Sequence, residues 1–219
     1  MNRQKCAPLR PICKPVLLLC EGQTEYHYFK AFKQNSKLQI SFELVDVSGG
    51  GYPKMFEKIK SSSGIGYLAR VVFLDLDRYH AFSEEKAVFE KIVAYCNSQN
   101  ARGLPIILIT SLPDFDEFLF LHDMNYKGSR NYLKTIGYSS IAELKADDKV
   151  FAKFNNPKLN RSYENALGRL NSNSPILNKI AYKKSSFTAT NSIIESKNNY
   201  HVHTSNVADF YQLVSLLEN

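Results

Sequence analysis

The sequence predicts an α/β fold: a parallel sheet of about four strands with flanking helices, followed by a mainly helical, basic C-terminal lobe. Two observations carry this. Between Pro15 and Asn125, short apolar strand-like runs alternate with helix-like segments, the pattern of βαβ units. Beyond residue 125 the chain turns helical and basic, broken at Asn155-Asn156-Pro157 and in the Asn/Ser-rich stretch 171–175. The expected organisation is a basic extension over 1–14, an α/β core over 15–125, and a basic helical lobe over 126–219 whose last helix packs back on the core.

Each element has its own signal. Residues 16–20, VLLLC, are an apolar run suited to a strand buried on both faces. Thr24 is placed to cap a helix that carries Tyr28, Phe29 and Phe32 along one side. Residues 40–47 alternate as a second strand, and Gly49, Gly50 and Gly51 connect it to a helix over 53–61. Residues 70–75 read as the third strand. Ser83, Glu84 and Glu85 favour a helix start, with Val88, Phe89, Ile92 and Tyr95 as its apolar face. Residues 104–110 make the fourth strand, and after Ser111-Leu112-Pro113 a short helix runs through Phe115, Phe118, Leu119 and His122. The stretch 183–199 has little periodicity and reads as loop. A last helix over 207–217 presents Val207, Phe210, Tyr211, Val214 and Leu217 to the core, with Asn206 and Asp209 as an N-cap arrangement.

With 219 residues, 44% hydrophobic and 22% charged, the chain is long enough to bury a sizeable core. Its strongest apolar runs fall well short of the roughly 20 residues that cross a bilayer, and no signal-peptide core is visible, so no membrane partner and a cytoplasmic location are expected. Among Cys6, Cys13, Cys20 and Cys96 there is no CxxC pair, which argues against a zinc knuckle, and Cys20 sits where a buried thiol is ordinary. The net charge of +7 is unevenly spread. Residues 1–14 carry +4 and residues 124–184 carry +8, against −3 over 15–123 and −2 over 185–219. An acidic centre with basic flanks suits a metal site served by a phosphate-gripping surface, although a plain solvated surface has the same composition.

Three expected strand ends run into acids: the first into Glu21, the third into Asp75 and Asp77, and the fourth, after a turn, into Asp114, Asp116 and Glu117. The carboxyl ends of parallel strands share one edge, so these groups are expected to converge there. A period of two puts Asp75 and Asp77 on one side of the strand with Leu76 on the other. Adjacent carboxylates invite a hard divalent cation, most naturally Mg²⁺, with Mn²⁺ as its substitute. Gly22 permits a tight turn after Glu21, and the positive end of the following helix favours an ionised Glu21. A DxD pair also occurs in haloacid-dehalogenase phosphatases and glycosyltransferases. The phosphatase needs its nucleophilic Asp on the first strand and commonly a Thr two residues past the second Asp, where this chain has Tyr79.

Several segments together resemble the RloB/AbiLii-like family. The stretch VLLLCEGQTEYHYF over 16–29 is similar to that family's opening strand, CEGxxTE and YF pair, with one residue fewer between Gly22 and Thr24. VFLDLDR over 72–78 resembles its DxD strand, SLPDFDEFLFLH over 111–122 its SxPxFExWLLLH segment, and HTSNV over 203–207 its TNV-type element. Asp116 stands where the family usually has Glu, and Phe118 where it has Trp. The resemblance implies a Toprim-like core, a site of Glu21 with Asp75 and Asp77, and Mg²⁺-dependent phosphodiester chemistry. It also implies a setting in prokaryotic anti-phage or abortive-infection defence, with an ATPase encoded nearby as a candidate protein partner.

On that basis Glu21, Asp75 and Asp77 are the expected catalytic and metal-binding residues, assisted by Asp116. Nucleic acid, DNA or RNA, is the expected partner. Lys30, Lys33, Arg78, His122, Lys127 and Arg130 are the candidate phosphate contacts, with a structural role as the alternative for His122, and Tyr126, Tyr132 and Tyr163 offer stacking surfaces or ordinary packing. The chain has little room for the tyrosine domain of a topoisomerase or the added modules of a primase. A non-catalytic defence component that binds nucleic acid or a partner protein, and a small-molecule phosphohydrolase, are the alternatives to a nuclease.

Overall fold

A computed structural model describes residues 14–63, 66–128, 132–172, 174–179, 182–184 and 203–218. Strand β1 (Val16–Cys20) is buried along its whole length, as its unbroken apolar run requires. Its side chains alternate between two hydrophobic clusters, with Val16, Leu18 and Cys20 on one face and Leu17 and Leu19 on the other. Strands β2 (Phe42–Asp46) and β3 (Ala69–Asp75) pair parallel with β1 on either side, and β4 (Ile106–Leu112) pairs parallel with β3.

Helix α1 (Gln23–Asn35) covers the first face with Tyr28, Phe29 and Phe32. The second face is covered by α2 (Gly51–Ser61) and α4 (Ser83–Ala101), which contribute Tyr52, Met55, Ile59, Phe89, Ile92 and Cys96. The short α3 (Asp77–Ala81) lies between them in sequence. After β4 come α5 (Asp116–Phe120), α6 (Tyr132–Thr135), α7 (Ile141–Ala146), α8 (Val150–Phe154), a 3-10 turn at Pro157–Leu159, α9 (Tyr163–Asn171) and α10 (Pro175–Lys179). The last helix, α11 (Val207–Glu218), returns to the first face, where Phe210 lies against Phe29 and Phe73 with ring centroids at 4.8 and 5.6 Å. Phe154, Leu170 and Phe210 therefore share one hydrophobic cluster with the sheet. No helix among the described residues is long and apolar enough to cross a membrane.

The sheet is larger than the sequence pattern predicts. Two three-residue strands, β5 (Tyr182–Lys184) and β6 (His203–Ser205), extend it to the order β2-β1-β3-β4-β6-β5. The β4–β6 pairing is antiparallel and every other pairing is parallel. The expected loop over 183–199 thus begins as a strand, and its remainder from 185 lies outside the described residues. Strands this short carry no readable periodicity. Asn206, expected to cap α11, is instead fully buried and clamps β4: its Oδ1 accepts from the Thr110 N–H at 2.7 Å and its Nδ2 donates to the Leu108 carbonyl at 2.9 Å. Ser205 Oγ takes the capping role, accepting from the Val207 N–H at 3.1 Å. Thr24 likewise lies inside α1 rather than before it, and Gly22 holds the N-cap position without a side-chain bond.

His122, a candidate phosphate contact, belongs to this core and not to the surface. Its ring is fully buried, with Nδ1 facing the Phe118 carbonyl at 3.0 Å and Nε2 facing the Tyr28 hydroxyl at 2.8 Å. A carbonyl only accepts, so Nδ1 carries the proton, Nε2 accepts from Tyr28, and Tyr211 in turn donates to the Tyr28 oxygen at 2.9 Å. Burial pushes the imidazole down to about 3, so it is neutral in the fold, whereas an unfolded chain protonates it near 6.5. The stability it contributes is complete above about pH 6.5 and is lost as pH falls toward 3. Between pH 7 and 5 the wild type should lose about 2 kcal/mol that His122→Gln does not, read by urea melts of both proteins. A gap that stays constant with pH would rule out a buried neutral imidazole.

Candidate metal centre

The topology creates a crevice between the carboxyl ends of β1 and β3. From β1 the chain leaves over the first face toward β2; from β3 it leaves over the second face toward β4. Such a divergence point is where open α/β sheets bind ligands. Here Glu21, Asp75 and Asp77 line a cleft of about 630 Å³, together with the Ser48, Gly49, Gly50 and Gly51 loop, Arg78 and Lys145.

The two aspartates are not placed as strand periodicity predicts. Strand β3 stops at Asp75, Leu76 has φ −94° and ψ 2°, and Asp77 is the first residue of α3. Backbone bonds to the far end of β4 impose the turn, Leu76 N–H donating to the Ser111 carbonyl at 2.7 Å and Asp77 N–H to the Pro113 carbonyl at 3.2 Å. The pair reaches one cleft through a strand-to-helix corner. Asp75 is fixed on several sides: its Oδ1 accepts from the Phe115 N–H at 3.1 Å, its N–H donates to Glu21 Oε2 at 3.0 Å, and its carbonyl accepts from the Tyr52 hydroxyl. Asp77 Oδ1 accepts from the Arg78 N–H at 2.6 Å.

Asp116 stands deeper, on α5, only 3% exposed, its N–H donating to Asp114 Oδ1 at 3.2 Å and its Oδ2 without a partner. Glu25, one turn into α1 from Glu21, is equally buried with Oε1 unpartnered. Gly22 is extended at φ −117°, and its role is close approach: a Cβ there would stand 2.5 Å from Glu25 Oε2. On the opposite wall Gly51 has φ +57°, and a Cβ there would collide with Glu85 Oε1 and stand 2.9 Å from Arg78 Nη2. Arg78 is committed to Glu85 in an ion pair, and Glu85 Oε2 also accepts from the Tyr52 N–H at 2.9 Å.

Crowding and burial make these acids hold their protons. Burial raises Glu21 to about 7 despite the Asp75 N–H that stabilises its charge, and so outweighs the helix field expected to keep it ionised. Burial, with Glu21 and Asp114 nearby, raises Glu25 to about 7. Burial and Asp114 raise Asp116 to about 8. Asp75 is pushed well up by burial and by Glu25, Asp114, Glu21 and Asp116. Lys145, reaching in from α7, is opposed by burial, yet Asp116, Asp75, Asp114 and Glu25 hold its ammonium above the ordinary value.

Among the described residues, Arg78 is the one expected phosphate contact that lines the cleft. Lys30 is exposed along α1 with its ammonium 5.7 Å from the Tyr26 ring, Lys33 donates to the Phe42 carbonyl at 2.5 Å, and Lys127 is exposed away from the cleft lining. Arg130 lies outside the described residues. Tyr126 and Tyr132 are buried against each other with centroids at 4.7 Å, and Tyr163 stacks on Tyr211 at 5.0 Å, so all three are packing residues and not base platforms. Asp114 joins the acids as the strand-end pattern predicts, and Glu25, Tyr52 and Lys145 join the site beyond the expected set. The spacing of Glu21 and Glu25, one helical turn, is a signal that finds Glu25; no local signal marks Lys145 or Tyr52.

The all-carboxylate donor set of Glu21, Asp75 and Asp77 fits a hard divalent ion in chemistry. Among the described residues no group of three or more His, Cys, Asp or Glu side chains is arranged to hold a metal ion as it stands; Mg²⁺ demands no complete protein cage, because it retains several waters. No protein-family model, curated protein or solved structure matches the chain.

Proposed function

We propose that the chain is a Mg²⁺- or Mn²⁺-dependent nuclease of Toprim-like kind, acting on nucleic-acid phosphodiesters in a prokaryotic defence setting. The observation that carries this reading is the convergence of Glu21, Asp75 and Asp77 on one cleft at the divergence of β1 and β3. Those three carboxylates would hold the ion, which supplies charge stabilisation for an in-line displacement and an activated water. The chain's own residues prepare the site. Tyr52 and the Phe115 N–H fix Asp75, Asp75 fixes Glu21, and Arg78, steadied by Glu85, offers a cation to a neighbouring phosphate. The defence setting and the RloB/AbiLii-like assignment rest on the matched segments alone.

A second reading, a phosphohydrolase for a nucleotide or small ester, is favoured by the cleft's size, about 630 Å³, which is within the range of small-ligand pockets. Labelled DNA, RNA and free nucleotides incubated with Mg²⁺ or Mn²⁺ separate the two. The nuclease predicts polymer cleavage that Asp75→Ala and Asp77→Ala each reduce by about 10²-fold or more. Turnover of nucleotides alone selects the phosphohydrolase. Metal-independent binding without turnover points to a non-catalytic component, and variants that cleave as well as the parent would remove the site assignment.

A further inference from the structure

The two cations that line the cleft reach it from opposite faces of the sheet. Arg78 stands on α3, which packs on α4 and whose Tyr79 belongs to the second-face cluster. Lys145 stands on α7, which packs on α1 and whose Leu144 belongs to the first-face cluster. Asp75 ends β3 and Glu21 directly follows β1, so these carboxylates leave the sheet layer that separates the two faces. The cleft therefore has acid at its centre and one cation on each side.

The cations differ in how they are held. Arg78 is committed to Glu85, which also accepts from the Tyr52 N–H at 2.9 Å, and its charge is fixed and half neutralised. Lys145 is exposed and, among the described residues, has no hydrogen bond and no ion pair. Its helix, by contrast, is tied down: Ser140 Oγ accepts from the Glu143 N–H at 3.2 Å, Glu143 Oε2 accepts from the Ser139 N–H at 2.7 Å, and Leu144 is fully buried. Other cations of the same lobe are spent internally, Lys153 on Asp147 at 3.0 Å and Arg161 on Asp123 at 2.6 Å. An ammonium on a fixed helix, beside the cleft, keeps three donors for a ligand.

We propose that Lys145 is a substrate-binding residue that grips the phosphate on one side of the scissile linkage, with Arg78 on the other. The cleft then takes an internal linkage of a nucleic-acid strand and not an isolated phosphate ester. The inference rests on the phosphodiester reading above and narrows its substrate. Glu21, Asp75 and Asp77 repel a bare phosphate, so the phosphates that flank the reacting one need cations of the chain's own, and a strand crossing the sheet edge meets one on each face. A mononucleotide or a small diester has no flanking phosphate for Lys145 to hold. Contacts of this kind position the strand without reading its bases.

The test compares the wild type with Lys145→Met, Lys145→Arg and Lys158→Met, the last an exposed lysine outside the cleft lining whose loss matches the change in net charge. Binding of fluorescein-labelled single-stranded DNA and RNA oligomers is followed by anisotropy with Ca²⁺ in place of Mg²⁺, from about 50 to 200 mM KCl. Lys145→Met should bind about tenfold more weakly at the low end. Its plot of log affinity against log salt should be flatter by about 0.7, while Lys145→Arg and Lys158→Met keep the wild-type slope. Cleavage in Mg²⁺ is the second readout: Lys145→Met should lose about tenfold in kcat/KM on the oligomer and stay within about twofold on bis(p-nitrophenyl) phosphate, which has no flanking phosphate. An unchanged salt slope in Lys145→Met, an equal flattening in Lys158→Met, or equal losses on both substrates would overturn the role of Lys145 and leave the phosphodiester reading intact. A wild type that neither binds nor cleaves either oligomer sinks that reading and the inference with it.

Discussion

In EDTA at pH 8, Asp75→Asn is expected to be more stable than the wild type by on the order of 2–4 kcal/mol, and added Mg²⁺ is expected to stabilise the wild type alone. The substitution is nearly isosteric and keeps the Oδ1 that accepts from the Phe115 N–H, so packing and the backbone bond survive. What disappears is a buried carboxyl that, crowded by Glu21, Glu25, Asp114 and Asp116, must either carry its charge out of water or bind a proton that the unfolded chain at pH 8 does not. The pH dependence follows from the direction of the shifts. A carboxyl whose folded value lies above its ordinary one binds more protons folded than unfolded, so its stabilising contribution is complete below about pH 4 and is lost as pH rises through the folded value. For Glu21, Glu25 and Asp116 that loss runs up to about 7, 7 and 8. Set against the roughly 2 kcal/mol that His122 regains over the same range, these carboxyls should weaken the metal-free wild type between pH 5 and 8, Asp75→Asn should weaken less, and Mg²⁺ should restore the wild type mainly at the upper end. Thermal melts at pH 5 and pH 8, with and without Mg²⁺, read all three effects; a wild type indifferent to Mg²⁺ at pH 8 would count against the metal centre.

The elements legible in the sequence are those whose burial is periodic. Strand β1 is an uninterrupted apolar run whose bounds match the pattern to the residue, and the Phe29 and Phe32 stripe of α1 does face the core. Strand β4 is displaced by two residues, to Ile106–Leu112, because Asn100 anchors its start, accepting from the Ile106 N–H and donating to its carbonyl at 2.6 and 2.9 Å. What the pattern cannot show are structures made by distant partners. Strands β5 and β6 exist through pairing, and Asn206 acts on β4, about a hundred residues earlier, in a way that its position before a helix disguises.

The site divides along the same line. Glu21 and Asp75 are legible because strand ends in a parallel sheet share an edge. Asp77 reaches that edge by a different route, since the bonds from Leu76 and Asp77 to Ser111 and Pro113 bend the chain where periodicity predicts a straight strand. For His122 spacing leaves a phosphate contact and a structural role both open, because helical spacing alone does not say which side of a short helix faces solvent; the ring points into the Tyr28 and Tyr211 network, so the structural role holds. Lys145 cannot be read at all. Its membership depends on α7 packing against α1, a tertiary contact with no local trace in the sequence.

That same dependence on distant partners makes Phe210 a position where a core substitution should cost heavily. Its ring meets Phe29 at 4.8 Å, Phe73 at 5.6 Å and Phe32 at 6.0 Å, and it is fully buried. Phe73 lies two residues before Asp75 on β3, and Phe29 lies one turn after Glu25 on α1, so one side chain of the last helix braces both acid-bearing elements. Phe210→Ala removes the ring and leaves a cavity that the rigid sheet on one side cannot close, a loss of about 3–5 kcal/mol. Leu216, on the exposed side of the same helix at 68% exposure, should change stability by less than about 0.5 kcal/mol when replaced by Ala. Denaturant melts of the two variants separate a helix that is structurally integral from one merely resting on the surface: near-equal small losses would mean that α11 is dispensable, and that the acid cluster is held by the sheet and α1 without it.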